Sequence, residues 1–201
     1  MNNKLIIFSA FVVVAIAQLF VPAQMILQRE SVLEEGKIYK FKTAPIDPTD
    51  PFRGKYVRLS FSNQQIAKVG GKWEAGETVF ALLELDSAGF SIIGDIQRDQ
   101  PSEEIDYLKV EIDYVKDNSW QDSTNIVSTI RLNFPFDRFY MEESKAYEAE
   151  LAYNDARWEQ KTAYALVSIK EGEAVLKDVL IDGIPIREIA KERNEKKALE
   201  K

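Results

Sequence analysis

Two residue types are missing: the chain of 201 residues has no histidine and no cysteine. Without histidine there is no Ser-His-Asp triad, no imidazole base and no imidazole metal site. Without cysteine there is no thiolate nucleophile, no thiolate zinc site and no disulfide, so packing alone must hold the fold. A hydrolase built from what remains would use Ser–Lys or paired carboxylates. No serine stands in a nucleophile-elbow or S-x-x-K context. Gly70-Gly71-Lys72 lacks the preceding glycine and the Ser/Thr of a phosphate loop, and reads as a turn. Basic charge is short as well. The net charge is −7, and the tail from Arg187 to Lys201 holds six basic against four acidic residues, which leaves the rest at −9. That sign argues against nucleic acid or anionic lipid as a partner of the body.

What the chain has in quantity is an apolar start. Leu5 to Val21 is interrupted only by Ser9 and Gln18. At about 1.5 Å per residue this run reaches about 25 Å, just short of a hydrocarbon core of about 30 Å. Pro22, Ala23, Met25, Ile26 and Leu27 extend it to a spanning length. Lys4 precedes the run, and Arg29, Glu30, Glu34 and Glu35 are the first charges after it. The positive-inside bias then points to an N-in, single-pass anchor in the cytoplasmic membrane, with the C-terminal body extracytoplasmic (periplasmic in a cell with two membranes). The rival reading is a cleaved signal peptide, with Ala15-Ile16-Ala17 as its A-x-A site. Continued apolarity beyond Ala17 favours the uncleaved anchor.

With 45% hydrophobic and 11% aromatic residues, the exported part has the material for one core. Three regions follow: 1–35 as membrane helix and helical extension, 36–184 as the body, and 185–201 as a charged C-terminal helix. Gly36 is a natural helix stop. Lys37–Thr43 alternates like a strand. Tyr56–Phe61 does so more clearly, with Val57, Leu59 and Phe61 on one face and Tyr56, Arg58 and Ser60 on the other. Three prolines within Pro45–Pro51 make a stiff extended loop between them. Ser62 and Gln65 have capping-box spacing for a short helix ending at Gly70-Gly71. Thr78–Leu85 and Phe90–Ile96 flank the hairpin turn Asp86-Ser87-Ala88-Gly89. Ile105–Val115 and Asn125–Phe134 supply further strands. Glu142–Lys161 reads as a helix with Tyr147, Leu151 and Trp158 on its packing stripe and Asn154 as the polar exception. Thr162–Ile169 and Ala174–Ile181 form a second hairpin around Glu171-Gly172. Asp182-Gly183 then turns into a solvated, fraying C-terminal helix in which Glu192 and Lys196 are spaced as an i,i+4 pair. The expected fold class is α+β, mostly antiparallel.

Shifting the sequence by 84 positions sets Pro51-Phe52 and Tyr56 on Pro135-Phe136 and Tyr140, and Thr78–Leu85 on Thr162–Ile169. This suggests duplication of a strand–loop–strand–helix–hairpin unit, with halves 37–99 and 105–182 and a ligand groove between them. The strongest local motif is Pro51-Phe52-Arg53-Gly54-Lys55-Tyr56-Val57-Arg58. Gly54 supplies an unusual backbone angle at the strand entry. Tyr56 and Arg58 share a face and can stack as an aromatic beside a guanidinium. Asp47 and Asp50 flank a turn, where such residues bond their own backbone; their spacing matches no EF-hand, and no metal or cofactor is expected. Glu142-Glu143 sits where a helix N-terminus favours acids. The candidate binding residues are Asp47, Asp50, Arg53, Gly54, Lys55, Tyr56, Arg58, Tyr140 and Glu142, with none expected to be catalytic.

The segment from Asp47 to Phe61 resembles the signature of the GDYXXLXY family of bacterial membrane-anchored proteins. Lys55 stands in place of the family's aspartate, and Phe61 in place of its final tyrosine. Phe139-Tyr140-Met141-Glu142-Glu143 resembles the family's later segment before a helix. The resemblance implies an N-terminal membrane helix and an association with an integral membrane protein; it implies no activity. The function expected is therefore a non-catalytic envelope module that docks on a membrane partner or binds a ligand. An envelope hydrolase using carboxylate or Ser–Lys chemistry is the alternative.

Overall fold

A computed structural model describes residues 3–44, 56–69, 71–102, 104–117 and 127–199. Asp47, Asp50, Arg53, Gly54 and Lys55, together with the Pro45–Pro51 loop, lie outside the described residues. The chain begins with one helix, α1 (Asn3–Glu35), which passes through Pro22 and is long and apolar enough from Ile6 onward to cross a membrane. It exposes nearly all of its length, and Val32 is its first buried residue.

After a single residue, Gly36, the chain enters β1 (Lys37–Ala44). There follow β2 (Tyr56–Arg58), β3 (Ser60–Phe61), β4 (Gln65–Val69), β5 (Thr78–Leu85) and β6 (Ser91–Gln97). The second half holds β7 (Tyr107–Asp117), β8 (Val127–Asn133), β9 (Arg138–Tyr140), α2 (Glu143–Trp158), β10 (Ala163–Lys170), β11 (Glu173–Ile181), β12 (Ile184–Pro185) and α3 (Ile186–Leu199). The fold is α+β, and the strand pairings within the sheets are antiparallel.

Two five-stranded sheets, ordered β12-β11-β10-β1-β3 and β4-β8-β7-β5-β6, share one core with α2 and α3, and β2 and β9 make a separate ribbon. The sheets are cross-built. The hairpin β10–β11 of the second half lies beside β1 of the first, while the hairpin β5–β6 of the first lies beside β7 of the second. Ala165, opposite Phe41, and Ala81, opposite Leu108, hold matching buried places. Both hairpins shift register at corresponding points, between Leu82 and Leu83 and between Leu166 and Val167. At the second hairpin's turn, Glu171 and Gly172 both take positive φ, 51° and 81°, the conformation that a two-residue turn between twisted strands requires.

Four rings lie at the centre. Phe41, Phe61, Phe134 and Phe136 contact one another in all six pairings, with centroids 5.1 to 6.2 Å apart. They join β1 and β3 to the segment leading from β8 into β9. At the other end of β1, the last turn of α1 is docked on β10. The Ser168 hydroxyl donates to the Val32 carbonyl at 2.6 Å, and the Gly36 N–H donates to the same oxygen at 3.0 Å. A Cβ on Gly36 would collide with that carbonyl and with the Ser168 hydroxyl, so only glycine lets strand and helix meet here.

Three expectations are corrected. Gln65–Val69 is β4, not a helix: pairing along β8, with Ile66 opposite Ile130, outweighs the local capping signal. Helix α2 is present, but it buries Ala146, Ala149, Ala152, Tyr153 and Ala156, while Tyr147 and Trp158 are 64% and 78% exposed. Nor is α3 merely solvated. It buries Ile186 and Ala190, its Arg193 pairs with Asp155 of α2 at 2.8 Å, and its Lys197 pairs with the buried Glu148. The i,i+4 ion pair it carries is Lys191–Glu195, at 3.9 Å, rather than Glu192–Lys196.

Two stability outcomes follow from these contacts. Phe136→Ala should cost about 3–5 kcal/mol in denaturant unfolding, as for a large ring removed from a core. Gly36→Val should lower the unfolding midpoint and open the junction after Glu35 to protease. Ser168→Ala should do less, about 1 kcal/mol for one hydrogen bond. An unchanged cleavage pattern in Gly36→Val would mean that helix and body are not docked.

Candidate functional site

The Tyr56–Phe61 alternation is borne out, and the site is built on it. Val57, Leu59 and Phe61 are buried, which turns Tyr56 and Arg58 outward. The run does not stay in one sheet: β3 pairs with β1, whereas β2 pairs with β9. In β9 the same polar–apolar–polar pattern repeats, with Phe139 buried between the outward-facing Arg138 and Tyr140. Arg187, at the start of α3, covers the other side of Phe139, its guanidinium carbon 4.8 Å from the ring centroid.

The register sets Tyr56 opposite Tyr140, Val57 opposite Phe139 and Arg58 opposite Arg138. Four side chains therefore form a two-by-two outer face: two tyrosines across from each other and, beside them, two arginines. The tyrosine rings lie 5.5 Å apart at 56°, and the Arg138 guanidinium carbon sits 5.4 Å from the Tyr56 ring centroid. The hydrogen bond with the Tyr140 hydroxyl, then the Asp137 carboxylate 3.7 Å away, hold the Arg138 pKa above its ordinary value. Arg58 and Tyr140 are exposed, and Tyr56 is half-buried.

Like charges directly opposite each other on a sheet face are destabilising. Arg58 across from Arg138 is thus a local cost, offset in part by Asp137 and the Tyr56 ring. An anion seated between the guanidinium groups would remove it, through planar forks suited to carboxylate or phosphate. The arrangement has the groups to bind an anion.

Of the candidate residues, the structure brings together Tyr56, Arg58 and Tyr140. Glu142 stands apart, exposed at the entry to α2 and paired with Lys145 at 2.9 Å. Among the described residues, no three potential ligands gather to hold a metal. Arg138 is the site residue that sequence reasoning missed. Its signal was the alternation Arg138-Phe139-Tyr140, which mirrors Tyr56-Val57-Arg58. Arg58→Gln should raise the unfolding midpoint slightly at low ionic strength, and the gain should fade as salt screens the pair; a midpoint that falls would show that the two arginines do not repel.

The model of the family described as GDYXXLXY protein matches residues 18–179. No curated protein and no solved structure matches the chain.

Proposed function

We propose a role from this premise: the chain belongs to the GDYXXLXY family. It acts as a non-catalytic, membrane-anchored interaction module, and the β2–β9 face is its recognition surface. The ligand is an extended, carboxylate-bearing segment of an integral membrane partner. The observation that carries this reading is the Arg58–Arg138 pair, framed by Tyr56 and Tyr140 on an exposed face of an otherwise acidic chain. Arg53 and Lys55 lie just before Tyr56 in the sequence.

Helix α1 is the anchor in this reading, N-in because Lys4 precedes the apolar run, with the body extracytoplasmic. The eight residues of β1 separate α1 from the ribbon, and at about 3.3 Å per residue they span about 26 Å. The partner must therefore offer a loop or domain that stands clear of the bilayer, not only transmembrane helices. Cross-built sheets and matching register shifts 84 residues apart support a duplicated origin for the two hairpin units. The proposed halves then exchange strands rather than fold side by side.

Affinity capture from gently solubilised membranes tests the role. The wild-type chain should recover one integral membrane protein in stoichiometric amount. A Tyr56→Ala, Arg58→Ala, Arg138→Ala triple variant should lose it while keeping the unfolding midpoint within a few degrees. Recovery of the same partner by the triple variant would move the recognition surface elsewhere, and absence of any partner with the wild type would end the proposal.

A further inference from the structure

A second feature lies at the opposite end of β1. A cleft of 510 Å³ opens between the two sheets, lined by Tyr39 of β1, Glu171 and Gly172 of the β10–β11 turn, and Asp106 and Tyr107 at the entry to β7. That volume is within the usual range for small-molecule sites, about 300–1,000 Å³. Its back wall is stitched shut, since the Lys109 N–H donates to the Gly172 carbonyl at 2.9 Å. Tyr39 is only 5% exposed, and its hydroxyl hydrogen-bonds with the Asp106 carboxylate and the Lys37 ammonium. Over it lies a single ion pair, Lys37 with Asp106, whose ammonium is 5.4 Å from the Tyr39 ring centroid and whose side chains are 66% and 45% exposed. Burial, with the Asp106 carboxylate alongside, pushes the Tyr39 hydroxyl up to about 12, so it is a neutral donor throughout the physiological range.

The cleft is fixed to the anchor. Lys170, next to Glu171, holds Ser31 at 2.9 Å and pairs with Glu35 at the end of α1. From Leu27, the last apolar residue of the run, to Ser31 the helix rises about 6 Å. A headgroup layer is about 5–7 Å thick on each side. Glu35 stands about 12 Å above Leu27, so the β10–β11 turn, held at both Ser31 and Glu35, lies at the outer edge of the headgroup layer, provided that α1 spans the membrane as proposed above.

We propose that this cleft binds the zwitterionic headgroup of an ethanolamine phospholipid, which inserts between Lys37 and Asp106. The lipid phosphate takes the Lys37 ammonium, and the lipid ammonium takes the Asp106 carboxylate, with Glu171 and the tyrosine rings around it. One ion pair becomes two, and no charge is left uncompensated. Choline is disfavoured because its quaternary nitrogen has no N–H to replace that of Lys37. An anionic glycerol headgroup is excluded because it would leave Asp106 unpaired beside Glu171. The proposal rests on the anchor reading but not on the β2–β9 face.

The test uses the full-length chain in nanodiscs of ethanolamine, choline or glycerol phospholipid with identical acyl chains, released into native mass spectrometry. The expected result is one retained ethanolamine lipid, preferred about ten-fold over choline lipid, the scale of one charge-assisted contact. Asp106→Asn should abolish the preference, as should Lys37→Gln, while Arg58→Ala should leave it unchanged. Tyr39→Phe should weaken retention and lower the unfolding midpoint by no more than a few degrees, the scale of one hydrogen bond. Soluble glycerophosphoethanolamine should compete with the lipid. Equal retention of choline and ethanolamine lipids, or a preference that survives Asp106→Asn, would overturn the site. Carbonate extraction reports on the anchor separately: a chain released by carbonate that still binds soluble glycerophosphoethanolamine would sink the anchor and the lipid source, not the headgroup chemistry.

Discussion

The contact on which the rest of this molecule depends is the four-ring cluster of Phe41, Phe61, Phe134 and Phe136. Each ring comes from a different point of the chain, and each touches the other three. Phe41 fixes β1, Phe61 fixes the edge strand β3, and Phe134 and Phe136 fix the corner where the chain leaves β8 for β9. No disulfide helps, because the chain has no cysteine. Tilted and edge-on aromatic packing supplies both the apolar burial and the orientation that a looser aliphatic cluster would leave adjustable. Because β2 runs into Phe61 and β9 leaves from Phe136, the ribbon inherits its position from these rings. Val57 and Phe139 then seat its underside, and the outer tyrosines and arginines have little choice of place.

From that cluster β1 runs back to α1. Its inward side chains read Tyr39 and Phe41, so one strand contributes to the cleft at one end and to the ring cluster at the other. Thr43 donates to the Ala163 carbonyl at 2.9 Å, and the Tyr153 hydroxyl donates to the Ala44 carbonyl at 3.1 Å, which ties the far end of the strand to β10 and α2. Gly36 leaves no linker between helix and strand. A one-residue junction, closed by the Ser168 hydroxyl on the Val32 carbonyl, fixes the direction in which β1 leaves α1.

Much of this was legible in the residues, and the failures have physical causes. Period-two alternation at Val57, Leu59 and Phe61 identified the buried face, because only one register hides all three. Turn chemistry at Asp86 and at Glu171-Gly172 placed both hairpins, since those backbone angles belong to few residue types. Apolar length identified α1. Capping spacing at Ser62 and Gln65 misled because it is a local signal, worth about 1 kcal/mol, and β8 offers a whole strand of hydrogen bonds instead. The packing face of α2 misled because large apolar residues were weighed above small ones. Alanines at 146, 149, 152 and 156 let α3 approach closely, with Ala190 answering from the other side, and so the large Tyr147 and Trp158 are left outside. The pairing of Tyr56 with Tyr140 was half visible in the 84-residue echo, yet nothing local says that the two echoing residues should meet. Arg138 stayed hidden for the same reason: its importance comes from what stands across the ribbon, not from its neighbours in the chain.

Strands from the first and second parts of the chain are interleaved in both five-stranded sheets. Each sheet needs a hairpin from one half and a central strand from the other, so neither half has a complete sheet of its own. Cleft and ribbon therefore cannot be separated into independently folding units. Both are bounded by β1, and β1 is completed only when β10 arrives from the far end of the chain. The helix junction belongs to the same pairing, because the Ser168 hydroxyl of β10 donates to the Val32 carbonyl of α1. Arg58 and Arg138 stand opposite each other on the ribbon, a local cost that Asp137 and the Tyr56 ring offset only in part, so their geometry has to be imposed by the rest of the molecule. The ring cluster and the cross-built sheets impose it, and the acidic remainder of the chain leaves the ribbon as a localised positive feature that an anion can find.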